Sequence, residues 1–335
     1  MATVEIDTLK AVLYQALTRA GVAPNVAEVC ARIHTESTRD GVHSHGIGRI
    51  PRFIDYVKRG WVDVDAIPTR VQQLGAIEVL DGHFGVGVTN ALYATDRAME
   101  LAQEHGMGLV ALRDTTHWMR GGSYGWHAVE KGYAAILWTN TESCMPAWGA
   151  AEQSIGNNPL VMAVPHQDGP LVLDMAMSQF SYGKLQSTRL KGEQLPIDGG
   201  FDESGHLSRD PGAIAATRRL LPTGYWKGSG LAILLDALAA LLAQGRPTHA
   251  IDDVQKGSGG GSCQIFMLFD PEQLGGRDAC NAIVEGIQAH LAAVTADASG
   301  RPVRWPGGST WRNRNSVAPL DIDDGLWREV QALAL

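Results

Sequence analysis

Short strand-like runs alternate with helix-like segments through the middle of the chain. Branched and aromatic residues concentrate in seven runs, at 70–74, 77–81, 109–112, 134–140, 160–165, 170–176 and 264–270. Helical patterns occupy 88–104, 123–130, 229–244 and 277–293. Helices interleaved with short strands are typical of an α/β domain, and the sequence therefore predicts an α/β (α+β) fold built on a mixed sheet.

The first 60 residues predict three amphipathic helices. Asp7 is predicted to cap the first, and Gly21 ends it. The second starts at Pro24 and runs to about Thr38, and the third covers 52–59. Since none of them is apolar all round, we expect each to pack on another part of the protein.

Composition and charge exclude several classes of protein. The chain has 28 Lys and Arg against 36 Asp and Glu, a net charge of −8, which offers no attraction to a nucleic acid backbone. Its strongest apolar run, 231–243, is shorter than the ~20 residues that span a bilayer, and no signal peptide precedes it. Its cysteines are far apart in sequence, as expected of reduced thiols: Cys30, Cys144, Cys263 and Cys280. We expect a soluble cytoplasmic protein that binds neither nucleic acid nor membrane.

The usual nucleotide-binding motifs are absent. A dinucleotide-binding Rossmann unit needs GxGxxG between a strand and a helix, but residues 82–87 read GxxGxG. There is also no phosphate-binding loop of the GxxxxGK[ST] type and no HExxH zinc motif. Any nucleotide site must therefore be built in another way.

A glycine-rich segment at 41–52 holds the densest set of chemically useful side chains, with Ser44, His45, Arg49 and Arg52. Histidine can hold and release a proton near pH 7, and the planar fork of arginine matches a carboxylate. The segment predicts a proton donor beside an anion clamp; a solvated, polar helix start is the alternative.

A second segment follows the strand at 109–112, where α/β folds place ligands. It contains His117, Trp118 and Arg120, and then Gly121-Gly122, whose free N–H groups at a helix start suit an anion. Ordinary packing is the alternative for the His-Trp pair. Further loops could carry a ligand or be plain turns: Thr139-Asn140, 148–149, 155–159, 224–230 and 304–309.

Taken together, several motifs resemble the malate/L-lactate dehydrogenase family, which is unrelated to Rossmann dehydrogenases. They are Ser44-His45-Gly46 with Arg49 and Arg52, HWMRGGSYGW at 117–126, DMAMSQFSYGK at 174–184, GYWKGSG at 224–230 and PGG at 306–308. The resemblance runs nearly end to end and is greatest to members that reduce a keto acid derived from a sugar.

The resemblance implies a cytoplasmic homodimer that moves a hydride between a nicotinamide dinucleotide and a 2-keto or 2-hydroxy acid. It favours NADH and leaves NADPH open. It also implies a non-Rossmann, mixed-sheet cofactor domain at 71–299, and a helical domain formed by both chain ends, 1–70 with 300–335.

The resemblance places the family's proton donor on His45. Its cofactor-binding segments fall on Pro170, Leu171, Val172, Leu173, Asp174, Met175 and Ala176, on Trp226 and Lys227, and on Gly307, Gly308 and Ser309. Close relatives carry a charged or imidazole side chain where this chain has Gly308, so only backbone contacts are expected there.

The remaining residues of the two segments receive roles in the same reaction. Arg49 and Arg52, at i and i+3, are expected to bind the substrate, with Arg52 as the main carboxylate clamp. Ser44 is expected to orient the reacting groups, and His117 with Arg120 to line the far side of the pocket. Substrate selection is assigned to Trp118, Met119 and Arg120.

Two alternatives differ in function. One is a dehydrogenase of another small acid (malate, lactate, sulfolactate or ureidoglycolate) or an imino acid reductase. The other is a metal-dependent hydrolase that uses the histidines His34, His43, His45 and His117. No Asp or Glu stands at a ligand-like spacing from them, so no metal is expected.

Overall fold

The computed structural model describes residues 1–335. Its helices are α1 (Ile6–Arg19), α2 (Pro24–Arg39), α3 (Ile50–Lys58), α4 (Gly87–His105), α5 (Gly122–Glu130), α6 (Tyr182–Leu190), α7 (Pro211–Thr217), α8 (Trp226–Ala243), α9 (Thr248–Asp253), α10 (Arg277–Ala293), α11 (Gly308–Arg314) and α12 (Asp324–Ala334). Its strands are β1 (Ala2–Val4), β2 (Thr69–Leu74), β3 (Ile77–Asp81), β4 (Met107–Thr115), β5 (Ala134–Thr139), β6 (Leu160–Val164), β7 (Leu171–Met175), β8 (Gly200–Phe201), β9 (Leu207–Ser208), β10 (Ser262–Phe269) and β11 (Leu320–Ile322).

A seven-stranded mixed sheet forms the centre of the fold, in the order β2-β3-β4-β10-β5-β6-β7. Only β3 and β4 run parallel, and every other neighbouring pair is antiparallel. Helices α4 and α5 cover one face and α8 covers the other, each over its own apolar cluster. Because β10 lies between two strands and under two layers, its residues 263–266 are fully buried. The predicted mixed-sheet α/β fold is confirmed.

The two ends of the chain lie together. Strand β1 pairs antiparallel with β11, with Ala2 opposite Ile322. One apolar cluster contains side chains of α1, α2 and α3 together with Ile322 and Val330. This contact is the physical basis for a domain built from both ends; the boundaries at 70/71 and 299/300 stay predictions.

The first helices begin and end close to where the sequence predicts. Gly21 has a positive φ of 93° just after α1, which explains why a glycine ends that helix. The predicted cap is wrong: α1 starts at Ile6 after Glu5, and Asp7 lies inside the first turn. The sequence patterns do not predict the short helices α6, α7 and α9 or the C-terminal helices α11 and α12.

Helix α8 is longer than the sequence predicts and starts at Trp226. It is the one helix long and apolar enough to cross a membrane, by length and composition alone. Ala232, Leu235 and Ala239 are buried in the cluster against the sheet, whereas Leu234 and Leu241 are exposed. One face therefore belongs to the protein core and the other is an exposed apolar surface.

Candidate active site

A cavity of about 480 Å³ lies where the N-terminal segment meets the sheet. Its walls come from the loop at 42–45, the loop at 117–121, strand β7 and the turn at 306–310, with further residues at 139–142 and 257–264. This volume falls in the range of sites for small molecules and cofactors.

His45 lies in the cavity wall at the end of a short 3₁₀ turn, His43–His45. The next residue, Gly46, packs so tightly on α2 that a Cβ there would lie 2.3 Å from Thr38 Oγ1. The Ile47 N–H donates to the same Thr38 oxygen, at 2.9 Å. These contacts hold the loop on α2 and fix the imidazole beside Ser44, whose Oγ lies 3.1 Å from His45 Nδ1.

His45 is neutral at pH 7 in this structure. Burial is the largest of the effects that lower its pKa to about 4, and the positive charges of Arg49 and Arg120 and the neighbouring His34 contribute to the same shift. A proton donor for a ketone must carry a proton before it can give it up. The site must therefore raise this pKa when substrate binds.

His117 stacks beside His45, with ring centroids 5.8 Å apart and planes at 21°. The Met119 N–H donates to His117 Nδ1 at 2.8 Å, so the neutral ring carries its hydrogen on Nε2. Burial and Arg49 hold the pKa of His117 well below its usual range. His117 is therefore a fixed, neutral hydrogen-bond donor in the cavity.

The glycine-rich segment 256–262 packs onto this site. The backbone N–H of His117 donates to the Ser258 carbonyl oxygen at 3.1 Å, and Arg49 Nη2 donates to Ser258 Oγ at 2.9 Å. Gly259, Gly260 and Gly261 are buried. The segment thus closes one side of the site.

Arg49 and Arg52, the two predicted substrate-binding arginines, differ in their relation to the cavity. Neither guanidinium lines the main cavity, and Arg52 is exposed. Among the neighbouring charges, Arg49 has the largest effect on the pKa of both His45 and His117. Arg52 affects only the pKa of His117, and less strongly. Arg49 therefore acts more strongly on the reacting imidazole than Arg52 does, and Arg52 as the main clamp stays a prediction.

Arg120 lines the cavity but is held by an internal ion pair. Its Nη1 lies 2.5 Å from Asp40 Oδ2, and Arg314 Nη1 binds the same oxygen at 2.9 Å. Its Nε is 3.7 Å from Asp174. The guanidinium is therefore anchored in place and is not free to follow a substrate.

Trp118 and Met119 border the cavity, yet their side chains are parts of two apolar clusters. The Trp118 indole packs with Tyr124 and Phe266, at centroid distances of 5.8 and 6.1 Å. Both side chains are therefore largely committed to the core, and the assignment of substrate selection to this run stays a prediction.

The helix start at Gly121-Gly122 is already occupied by a carboxylate of the protein. The Gly122 N–H donates to Asp174 Oδ2 at 2.9 Å, and a Cβ at Gly122 would lie 2.6 Å from that oxygen. The predicted free anion site is therefore absent, because β7 brings Asp174 there. Burial raises the pKa of Asp174, while Arg120 and this hydrogen bond oppose that effect.

The predicted cofactor residues divide into two groups. The cavity is lined by Val172, Leu173, Asp174, Ala176 and Gly307. It is not lined by Pro170, Leu171, Met175, Gly308, Ser309, Trp226 or Lys227. Trp226 is 64% exposed at the start of α8, with the Lys227 ammonium over its ring. Within one chain, these two residues lie outside the site.

Gly307 shows why the turn after Pro306 needs a glycine. Its φ is +88°, and a Cβ there would lie 2.9 Å from the Val172 nitrogen and 3.1 Å from the Pro170 carbonyl oxygen. The turn therefore lies directly against β7. Two of the predicted cofactor segments meet at this contact, and their role in cofactor binding stays a prediction.

The lining fits a ligand that offers both a hydrogen-bond donor and an acceptor. Gln264 Oε1 and Arg120 Nε are buried, belong to lining residues and have no hydrogen-bond partner. A nicotinamide carboxamide offers both kinds of group, so the residues present are compatible with the cofactor. Gln264 could have been found from one feature of the sequence, because it is a polar residue inside the apolar run CQIFMLF.

The histidines proposed for a metal site do not form one. In the structure, no group of three His, Cys, Asp or Glu side chains is arranged to hold a metal ion. His34 is buried, with Nδ1 3.1 Å from the Gly46 carbonyl oxygen. Its role in the fold is to tie α2 to the loop that carries His45.

Comparison with known proteins identifies relatives along the whole chain. The sequence model of the malate/L-lactate dehydrogenase family matches residues 4–331. Proteins named 2,3-diketo-L-gulonate reductase, from Shigella boydii serotype 4 and Escherichia coli O81, are 43% identical over 332 residues, covering 98% of this chain and 99% of theirs.

Solved structures have the same fold. Sulfolactate dehydrogenase from Methanocaldococcus jannaschii has a TM-score of 0.89 at 26% identity, covering 99% of this chain and 96% of its own. Δ1-piperideine-2-carboxylate reductase from Pseudomonas syringae pathovar tomato has a TM-score of 0.85 at 28% identity, covering 99% and 100%. Malate dehydrogenase from Entamoeba histolytica has a TM-score of 0.94 at 23% identity, covering 99% of this chain and 97% of its own. At this identity the likeness shows the fold alone.

Proposed function

The chain belongs to the malate/L-lactate dehydrogenase family of nicotinamide-dependent oxidoreductases, and from this premise we propose that it reduces 2,3-diketo-L-gulonate to 3-keto-L-gulonate with NADH. The observation that carries the proposal is one cavity lined by His45, by strand β7 and by the turn at Gly307. The relatives that are 43% identical over nearly the full length support this choice of substrate.

When bound, the nicotinamide dinucleotide supplies the hydride; Val172, Leu173, Asp174 and Gly307 would hold it. His45 donates a proton to the carbonyl oxygen of the substrate, where negative charge develops. Ser44 keeps the imidazole oriented through its contact with Nδ1. Arg49 binds the substrate carboxylate, and His117 donates a hydrogen bond from Nε2 across the cavity.

Substrate binding is expected to take up a proton at His45. Its pKa of about 4 leaves the ring neutral at pH 7, and a bound carboxylate places a negative charge that raises this pKa. Because the protonated form binds the anion better, the affinity should fall as the pH rises from about 4 to the raised pKa, by up to about tenfold per pH unit. Calorimetric titration of oxamate into the enzyme with NADH, in buffers of different ionisation enthalpy, measures the uptake.

The His45→Ala protein is the control for this titration and should take up no proton. Equal heats in all buffers with the unaltered enzyme, together with a pH-independent affinity, would show that His45 does not gain a proton on binding.

We also propose a cytoplasmic homodimer that requires neither nucleic acid nor membrane. The exposed apolar face of α8, with Ile233, Leu234, Leu238 and Leu241, is suited to burial against a second copy. The four cysteines are unpaired, as in a reducing compartment. Light scattering distinguishes a dimer from the 35.9 kDa monomer.

A substrate panel tests the proposed reaction. Initial rates with NADH and with NADPH, followed at 340 nm, should give the highest kcat/KM for 2,3-diketo-L-gulonate with NADH. The panel includes pyruvate, oxaloacetate, sulfopyruvate and Δ1-piperideine-2-carboxylate, which represent the alternative functions. A higher kcat/KM for any of these would replace the proposed substrate and keep the family assignment.

A further inference from the structure

Glu142 is a cavity residue to which neither the sequence motifs nor the mechanism assigns a role. It follows strand β5 in a loop that is fixed on both sides. The Thr141 N–H donates to Asn158 Oδ1 at 3.0 Å. The Ser143 N–H and hydroxyl donate to the two Asp252 carboxylate oxygens at 2.9 and 2.6 Å. The backbone that carries Glu142 is therefore held in place from both neighbours.

The carboxylate of Glu142 has no partner side chain. Its one hydrogen bond is to its own backbone, and it forms no salt bridge, although Arg49 and Arg52 are near enough to lower its pKa. Arg49 donates instead to Ser258, and Asp252 is occupied by Ser143. Burial has the larger effect and raises the pKa of Glu142. A partly buried acceptor in a ligand cavity thus lacks a donor from any other residue of the protein.

The chemistry of this acceptor restricts what can lie beside it. An ionised carboxylate only accepts hydrogen bonds, so a ligand hydroxyl can pair with it. A second carboxylate on the ligand would be repelled. An alkyl group would leave the oxygens without water or a partner. A hydroxyl, a carboxylate and an alkyl group on a 2-keto acid would therefore differ in how well they bind beside Glu142.

We propose that Glu142 is a specificity-determining residue that accepts a hydrogen bond from a hydroxyl group on the carbon chain of the substrate and repels dicarboxylic acids. The inference rests on the proposed reduction of a 2-keto acid, but not on one particular sugar acid. Arg49 and Glu142 then divide the ligand between them: the cation binds the carboxylate end, and the anion binds the hydroxylated end.

Removal of the charge at Glu142 tests whether this carboxylate binds the hydroxylated end of the substrate. For Glu142→Gln and Glu142→Ala, kcat/KM should fall at least about tenfold with 2,3-diketo-L-gulonate and 2-keto-L-gulonate, because a hydrogen bond to a charged group is lost. It should stay within about threefold for pyruvate and rise severalfold for oxaloacetate. Glu152→Gln, the same change at an exposed position of the same loop, is the matched control and should alter none of the three.

The three substrate classes separate the possible results. A loss shared equally by hydroxylated acids, pyruvate and oxaloacetate would mean that Glu142 only supports the loop, and would overturn the inference. Unchanged ratios in Glu142→Gln and Glu142→Ala would also overturn it while leaving the proposed function intact. If the unaltered enzyme prefers pyruvate or a cyclic imino acid to every hydroxylated acid, the proposed function and the inference both fail. Melting temperatures of the variants identify any loss of folding.

Discussion

Replacement of His45 with alanine is expected to lower kcat by about 10²–10⁴-fold while NADH binding stays within about twofold. The His45 imidazole lines the cavity, and Ser44 orients it. No other protein group holds this ring in an ion pair. Without it, the oxygen that gains charge during reduction has no donor of a proton. Steady-state rates give kcat, and quenching of tryptophan fluorescence gives the NADH affinity.

The neighbouring His43 provides the control for this variant. It lies in the same short turn but does not line the cavity, so His43→Ala should keep kcat within about threefold. If His45→Ala loses NADH binding together with turnover, then His45 holds the fold of the cavity. If it keeps the full kcat, then another group supplies the proton, and His117, which stacks beside His45, is the first candidate.

The sequence was sufficient for the elements of the sheet but not for their order. Alternating runs predicted the strands of the sheet within a few residues, because branched side chains and turn residues act locally. Nothing local shows that β10, which follows β5 by more than 120 residues, inserts between β4 and β5. That order depends on which strands bury both faces, which is a property of the whole fold.

In the candidate site, too, the local features could be predicted from the sequence and the long-range contacts could not. The glycines around His45 predicted a tight loop with a reactive group, and the structure places His45 in the cavity. The partners of Arg120 and Gly122 could not be predicted, because Asp40 and Asp174 lie 80 and 52 residues away in sequence. Each of these carboxylates binds a group, the Arg120 guanidinium or the Gly122 N–H, that the sequence alone leaves free for a ligand. Long-range contacts with buried carboxylates are therefore what the sequence could not show about these two groups.

Replacement of Asp40 with alanine is expected to lower the free energy of unfolding by about 3–5 kcal/mol, the largest effect on stability that we predict. The Asp40 carboxylate is fully buried and binds Arg120 and Arg314. Arg314 keeps a second partner in Glu130, at 2.6 Å. Arg120 keeps only Asp174 at 3.7 Å, so its buried charge would be left nearly uncompensated. Urea unfolding followed by tryptophan fluorescence measures the loss.

Two comparisons establish that the unpaired charge causes the loss. Asp55→Ala removes an exposed ion pair with Arg59 and should cost less than about 0.5 kcal/mol. The double variant Asp40→Ala with Arg120→Met removes the stranded cation as well and should recover part of the stability. If Asp40→Ala unfolds at the same urea concentration as Asp55→Ala, the buried pair adds no more than a surface pair. If the double variant is less stable than Asp40→Ala, Arg120 stabilises the site through contacts other than Asp40.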